Sequence, residues 1–259
     1  MQAFWLGLTQ GLTEFLPVSS SGHMVLLGKL FGIRNDMVTV SVLLHAGTLL
    51  AVIAVYWQRI WNMILHPLKS ELLMLVAATV PAVIAALLFK DFFNQSFDGA
   101  FLGFSFLITT LILWLSDLVG GLAPKSTRVT WVSAVVMGIM QAVAILPGIS
   151  RSGSTISGGV ATGLSRKRSA DFAFLMSIPA ILGSIVLEGV KLLGGNVVEV
   201  IPDWTPVLIG MATALISSFL AIKLMLAIIR RVRLTWFGLY TGVLGVLVLL
   251  DQYVFHYIF

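Results

Sequence analysis

Residues 16–23 read LPVSSSGH and residues 146–154 read LPGISRSGS. Each stretch interrupts a longer apolar run, 1–33 in the first case and 131–164 in the second, with Pro, Gly and a cluster of hydroxyl side chains. Proline removes a backbone donor and blocks continuation of a helix, so each run is expected to form two helical arms around a bend. An arm such as 3–16 reaches only about 20 Å at 1.5 Å per residue, short of the roughly 30 Å of a bilayer core but long enough to dip in and turn back.

The composition makes a bilayer the expected solvent. Of 259 residues, 58% are hydrophobic and 10% charged, with a mean hydropathy of +1.02. Soluble domains carry about 25% charged residues. Disorder, a disulfide-stapled module and a thiolate metal centre are excluded, the last two because the chain has no Cys. Six further stretches, 38–58, 71–90, 100–119, 170–193, 205–229 and 234–255, are long and apolar enough to span. The expected fold is all-α and polytopic, a single membrane domain of six transmembrane helices plus two re-entrant helical hairpins. The first positive residue is Lys29. The N-terminus thus lacks the basic lead of a signal peptide, and its apolar start is expected to belong to the mature protein.

Shifting the sequence by 131 positions superposes Gln10 on Gln141, Ser19 on Ser150, Ser21 on Ser152 and Gly22 on Gly153, and sets Ser20 opposite Arg151. The spans follow the same shift, which suggests internal repeats over approximately 1–120 and 131–259. Three crossings per half would invert the second copy and bring the two bends together near the midplane. Arg59, Lys69, Lys125, Arg128, Arg166, Lys167, Arg168, Arg230, Arg231 and Arg233 then share one side, expected to be cytoplasmic, against Lys29, Arg34, Lys90 and Lys191 on the other. Single kinked spans at the bends would keep the same bias, so charge alone barely separates the two topologies. The basic residues fall in short clusters suited to lipid head groups, which argues against nucleic acid as a partner.

Polar residues at membrane depth are costly and mark function unless paired. Glu14 and Arg151 are the sharpest cases, the plain alternative being an ion pair between them. Gln10 lies one helical turn from Glu14 and is positioned to share a cation or a water with it. Ser19, Ser20, Ser21, Gly22 and His23 open a helical arm where an anion is favoured, and Ser150, Arg151, Ser152, Gly153, Ser154 and Thr155 repeat the arrangement with a guanidinium suited to phosphate oxygens. Two facing cradles suggest a phosphate or pyrophosphate. The serines taken singly are equally well explained as caps on a bend. His23 titrates near neutrality and lies close in sequence to Ser20, a candidate nucleophile. His45 is expected to be a satisfied core histidine, and His66 and His256 carry no signal. Lys223 is expected to snorkel, and Trp57, Trp61, Trp131, Trp204 and Trp236 to anchor segment ends at the interface.

QGLTEFLPVSSSGH at 10–23 and LPGISRSGST at 146–155 resemble the two signature regions of bacterial undecaprenyl pyrophosphate phosphatases, the bacitracin-resistance family, and the resemblance extends over essentially the whole chain. Type 2 phosphatidic acid phosphatases share SGH and SR elements but need His and Asp soon after the arginine motif. Residues 156–170 contain neither. The resemblance implies hydrolysis of undecaprenyl pyrophosphate to the monophosphate in the bacterial cell membrane, recycling the carrier lipid for envelope polymers, from a site opening to the outer side. By similarity Glu14, Ser20, His23 and Arg151 form the catalytic set, and Ser19, Ser21, Gly22, Ser150, Ser152, Gly153 and Thr155 contact the substrate. It also implies a divalent cation, Mg2+ or Ca2+, near Glu14 and Gln10, held largely by pyrophosphate oxygens and water. The expected partners are a polyprenyl pyrophosphate and membrane lipids. A phosphoserine intermediate and a homodimer stay open, and a polyprenyl-phosphate transporter or flippase is the competing reading, since broken inverted repeats also build transporters.

Overall fold

A computed structural model describes residues 1–33, 37–120, 126–193 and 204–259. Arg34 and Lys125 lie outside the described residues. The chain is all-α, in the order α1 (Gln2–Phe15), α2 (Ser20–Leu30), α3 (Met37–Leu65), α4 (Leu72–Leu88), α5 (Lys90–Ser96), α6 (Leu102–Gly120), α7 (Trp131–Val143), α8 (Arg151–Ala161), α9 (Arg166–Leu193), α10 (Trp204–Ile228) and α11 (Leu234–Leu250), with a π-helical turn at Asp251–Phe255. Among the described residues five helices are long and apolar enough to span, within α3, α6, α9, α10 and the α11 end of the chain. The 17 residues of α4 are also apolar and reach about 25 Å. Large apolar side chains such as Val76, Val83 and Leu87 on α4 point outwards, where a soluble protein would be polar. The protein is a polytopic membrane protein.

Both bends form where the sequence breaks. Leu16 turns extended, Ser19 adopts a left-handed φ of 69°, and its hydroxyl caps α2 by accepting from Gly22 N at 3.3 Å. At the second bend Gly148 has φ +94°, a conformation that strains any side chain. Ser150 then caps α8 through Gly153 N at 3.1 Å. Backbone groups freed by a bend must be paired inside the protein at membrane depth. The Thr109 hydroxyl on α6 donates to Gly148 O and accepts from Ser150 N, both at 2.9 Å, and the Ser152 hydroxyl donates across to Leu16 O, also at 2.9 Å. The two bends touch: a Cβ on Gly22 would lie 2.8 Å from the Cα of Gly148.

Small residues let the helices approach closely. α1 packs on α10 through Gly7 and Gly210, and α7 packs on α4 through Gly138 and Ala78. α6 packs on α11, and α3 on α9 and α10. A buried cluster including Phe15, Phe172, Phe174, Met176 and Ile222 seals the inner end of α1, with Phe15 and Phe174 edge to face at 5.2 Å.

The basic helix ends are tied by carboxylates. Arg166 reaches Asp117 at 2.6 Å, and Asp117 also accepts from the N–H and hydroxyl of Thr235. Glu71, just ahead of α4, is clasped by Arg168 and by Arg59 at 2.8 Å. Burial alone would raise the Glu71 carboxyl, but Arg168 and Arg59 outweigh it and hold the group below its ordinary 4.5. A depressed carboxylate stabilises the fold above its unfolded value and loses that contribution as pH falls through the folded one. Thermal denaturation in detergent is therefore expected to show the wild type losing more Tm than Glu71→Gln below about pH 4.5, with Glu71→Gln lower by about 2–4 °C at neutral pH for roughly 1 kcal/mol. Equal pH dependence of the two proteins would refute the role given to this contact. The five tryptophans expected as anchors are exposed near helix ends, and Lys223 lies over the Phe219 ring at 4.3 Å.

Candidate active site

Glu14 closes the last turn of α1, one turn after Gln10, and both are buried. The Gln10 amide donates to Glu14 Oε2 at 2.8 Å, so the pair faces inwards as one unit. The bend at 16–19 swings α2 back so that the Ser20 hydroxyl donates to the same oxygen at 2.5 Å. Glu14 Oε1 receives Arg151 Nη2 from α8, across the junction of the two bends. Glu14 is thus the common partner of Ser20 and Arg151, two residues that the 131-position shift sets opposite each other. Arg151 Nη1 is buried without a hydrogen-bond partner among the described residues. An unspent buried guanidinium donor is costly unless an anion completes it.

The remaining expected residues divide. Ser20 and Ser21 open α2, and Arg151 and Ser152 open α8, so their N–H groups have no acceptor within their own helices and favour an anion. The Ser19 and Ser150 side chains act as caps, at 3.4 Å from Ser21 Oγ and 3.3 Å from Ser152 Oγ respectively. Gly22 and Gly153 occupy tight contacts, Gly22 against Gly148 and Phe106, Gly153 against Ser150 and Leu113. The Thr155 hydroxyl donates to Arg151 O at 2.8 Å and is spent on its own helix.

His23 shares α2 with Ser20, but its ring points towards α11. Nδ1 lies 2.7 Å from Ser19 O, Nε2 lies 2.7 Å from the Tyr240 hydroxyl, and the Phe106 ring meets it edge-on. A carbonyl only accepts, so Nδ1 carries the proton and Nε2 accepts from Tyr240 in a neutral ring. Glu14, not His23, is the group in contact with the Ser20 hydroxyl.

Two residues at the site escaped the sequence reading. His45 on α3, expected to be ordinary core, places Nε2 at 3.3 Å from Glu14 Oε2. Nothing local to the sequence signals this contact, because His45 sits inside an apolar span. Tyr240 had an unused signal: subtracting 131 gives Thr109, and each of the two holds one bend. Their neighbours Thr110 and Thr241, also 131 apart, meet hydroxyl to hydroxyl at 3.0 Å.

Gln10 and Glu14 do not by themselves make a resident cation site. Mg2+ and Ca2+ take six or more oxygens, whereas Glu14 is already engaged by Arg151, Gln10, Ser20 and His45, and Gln10 Oε1 is the free oxygen of the pair. No group of three or more His, Cys, Asp or Glu that could hold an ion occurs among the described residues.

The sequence matches the family described as "Bacitracin resistance protein BacA" over residues 3–247. It is 44% identical over 252 residues to the undecaprenyl-diphosphatase of Carboxydothermus hydrogenoformans, with 97% of each chain covered. Against the undecaprenyl-diphosphatases of Rhodopirellula baltica and Halothermothrix orenii the identity is 41% and 35%, covering 95% and 96% of each chain. With matched residues spanning both bends and the helices between them, this chain belongs to the BacA bacitracin-resistance family.

Proposed function

We propose that the protein hydrolyses undecaprenyl diphosphate to undecaprenyl phosphate and inorganic phosphate, recycling the carrier lipid for cell-wall synthesis and so conferring bacitracin resistance. The observation that carries this reading is the Glu14 carboxylate, which joins the Ser20 hydroxyl to the Arg151 guanidinium where the two bends meet. The diphosphate lies against the first turns of α2 and α8, with Arg151 Nη1 and the free N–H groups on its oxygens and the prenyl tail in the bilayer.

Ser20 Oγ attacks the terminal phosphorus. The Oγ–P bond forms, the bond from that phosphorus to the bridging oxygen breaks, and undecaprenyl phosphate leaves while the hydroxyl proton passes to Glu14 Oε2. Water then attacks the phosphoserine and the P–Oγ bond breaks, Glu14 returns its proton to Oγ, and the protons of the water leave on the inorganic phosphate. Phosphoryl transfer runs through a loose transition state, so positioning and charge stabilisation matter more than base strength. That suits a carboxylate whose neighbours fix its place. Gln10 Oε1, with Glu14 beside it, would hold a Mg2+ or Ca2+ ion bound mainly by the diphosphate oxygens and water, and the ion would supply charge neutralisation on the phosphates.

The same reading takes α1–α2 and α7–α8 as two re-entrant hairpins, and α3, α4, α6, α9, α10 and α11 as six spans in two inverted repeats. Support comes from the helix bounds: the shift of 131 carries Ser20–Leu30 onto Arg151–Ala161. It comes also from exchange of partners, α1 lying on α10 as α7 lies on α4. The basic ends face the cytoplasm, and the site opens outwards in the bacterial plasma membrane. Purified protein given undecaprenyl diphosphate and Mg2+ in detergent is expected to release one phosphate per lipid and leave the monophosphate. Release of no phosphate with either Mg2+ or Ca2+ would overturn the assignment.

A further inference from the structure

Tyr240 lies outside both bent segments, yet a chain of contacts runs from it to the residue before Ser20. Its hydroxyl lies 2.7 Å from His23 Nε2, and on the other side of the ring Nδ1 lies 2.7 Å from Ser19 O. Ser19 needs such a hold: its φ of 69° and ψ of 94° fall where residues other than Gly are rare, at a cost of roughly 1–3 kcal/mol. The Ser19 carbonyl belongs to the planar peptide that carries the Ser20 N–H, and in a trans peptide the two point in opposite directions. Pinning Ser19 O therefore sets the direction of the Ser20 N–H, and with it the Cα from which the Ser20 hydroxyl reaches Glu14.

We propose that Tyr240 is a positioning residue: acting through His23, it fixes the Ser19 carbonyl and so aims the first turn of α2, Ser20 included, at Glu14 and the diphosphate. This rests on the hydrolase reading of the site. The second repeat supports it by holding its own bend with smaller parts. The 131-position shift sets His23 opposite Ser154, which is too short to bridge, and Tyr240 opposite Thr109. There α6 reaches the bend directly, the Thr109 hydroxyl bonding both Gly148 O and Ser150 N. One position of α6 and its counterpart on α11 thus hold the two bends, and the two helices are tied one residue further on, where Thr110 and Thr241 meet at 3.0 Å. A tyrosine serving only as lipid-facing surface would not need this arrangement. Tyr240 is 49% exposed, but its hydroxyl is turned inwards to a histidine that is 8% exposed.

Two measurements test the proposal. Tyr240→Phe keeps the ring and removes only the hydroxyl, and is expected to lower kcat roughly 10-fold with KM within about threefold, the scale on which slight misplacement of a reacting group acts. Backbone hydrogen exchange, followed by mass spectrometry on the protein in detergent without lipid, is expected to quicken about fivefold or more over residues 20–23 of this variant. Residues 151–154 should keep wild-type exchange, because Thr109 holds that bend. His23→Asn retains an N–H donor for Ser19 O but is too short to reach Tyr240, so in that background Tyr240→Phe should add nothing to the exchange. Wild-type kcat in Tyr240→Phe overturns the proposal, as does a loss confined to KM. Exchange that is unchanged over 20–23, that rises equally over 151–154, or that adds in the His23→Asn background overturns it as well, and none of these depends on turnover. Loosening confined to 20–23 in a protein whose wild type hydrolyses nothing would overturn the hydrolase reading while leaving the Tyr240 brace standing.

Discussion

Arg151→Ala is expected to lower kcat/KM for undecaprenyl diphosphate by roughly 10³-fold or more, and to destabilise the fold as well. The guanidinium does two things at once: one nitrogen pairs with Glu14 Oε1, and the other, buried and unpartnered, is available to a phosphate oxygen. Removing a cation that stabilises a transferring phosphoryl group costs about 10³ to 10⁵ in rate. Removing one partner of a buried ion pair costs roughly 3–5 kcal/mol in stability when the other charge is stranded. Here His45, Gln10 and Ser20 still hold Glu14, so the loss of stability belongs at or below the lower end of that range. Arg151→Lys keeps the charge but has no planar fork to serve both partners, and is expected to fall between, at roughly 10²-fold. Phosphate release and thermal denaturation measured on the same preparations separate the two effects. An Arg151→Ala protein within tenfold of the wild type would remove the guanidinium from the chemistry.

Ser20→Ala is expected to abolish turnover, by roughly 10⁴-fold or more, while leaving the fold intact. The Ser20 hydroxyl is one of several donors to Glu14, and Arg151, Gln10 and His45 remain when it is gone. Its Tm should therefore stay near that of the wild type, which is the converse of the Arg151→Ala pattern. Lipid labelled in its terminal phosphate, mixed with wild-type protein and quenched in acid, should leave label on the peptide carrying Ser20. Robust turnover by Ser20→Ala would show that water attacks directly, and the hydroxyl would then be only a ligand.

Much of this site was legible in the linear chain because its determinants are local. Pro17 and Pro147 lie beside clusters of Ser and Gly and their helices end ahead of them, whereas Pro81 and Pro179 stay inside α4 and α9; the hydroxyls that follow the two breaks cap the next helix, and an ionisable residue inside an apolar run is conspicuous against its neighbours. Glu14, Ser20 and Arg151 were found in this way and meet in space. His23 was found too, but proximity to Ser20 along the chain did not become proximity of its ring, because a donor–acceptor pair waits on α11 and a carbonyl at Ser19.

The sequence by itself determined that the chain is helical, that it lives in a bilayer, where its two bends fall, and which charged groups flank them. Hydropathy, proline chemistry and capping act within a few residues, so they can be read without knowing what lies opposite. Only the tertiary structure decided that Glu14 would bind Ser20 rather than leave it to His23, that Tyr240 would hold His23, and that His45 would turn from core filler into a partner of Glu14. Those outcomes depend on which helix faces which, fixed by close packing at Gly7, Gly22 and Gly138 between segments far apart in the chain. No local pattern encodes the far side of such a contact.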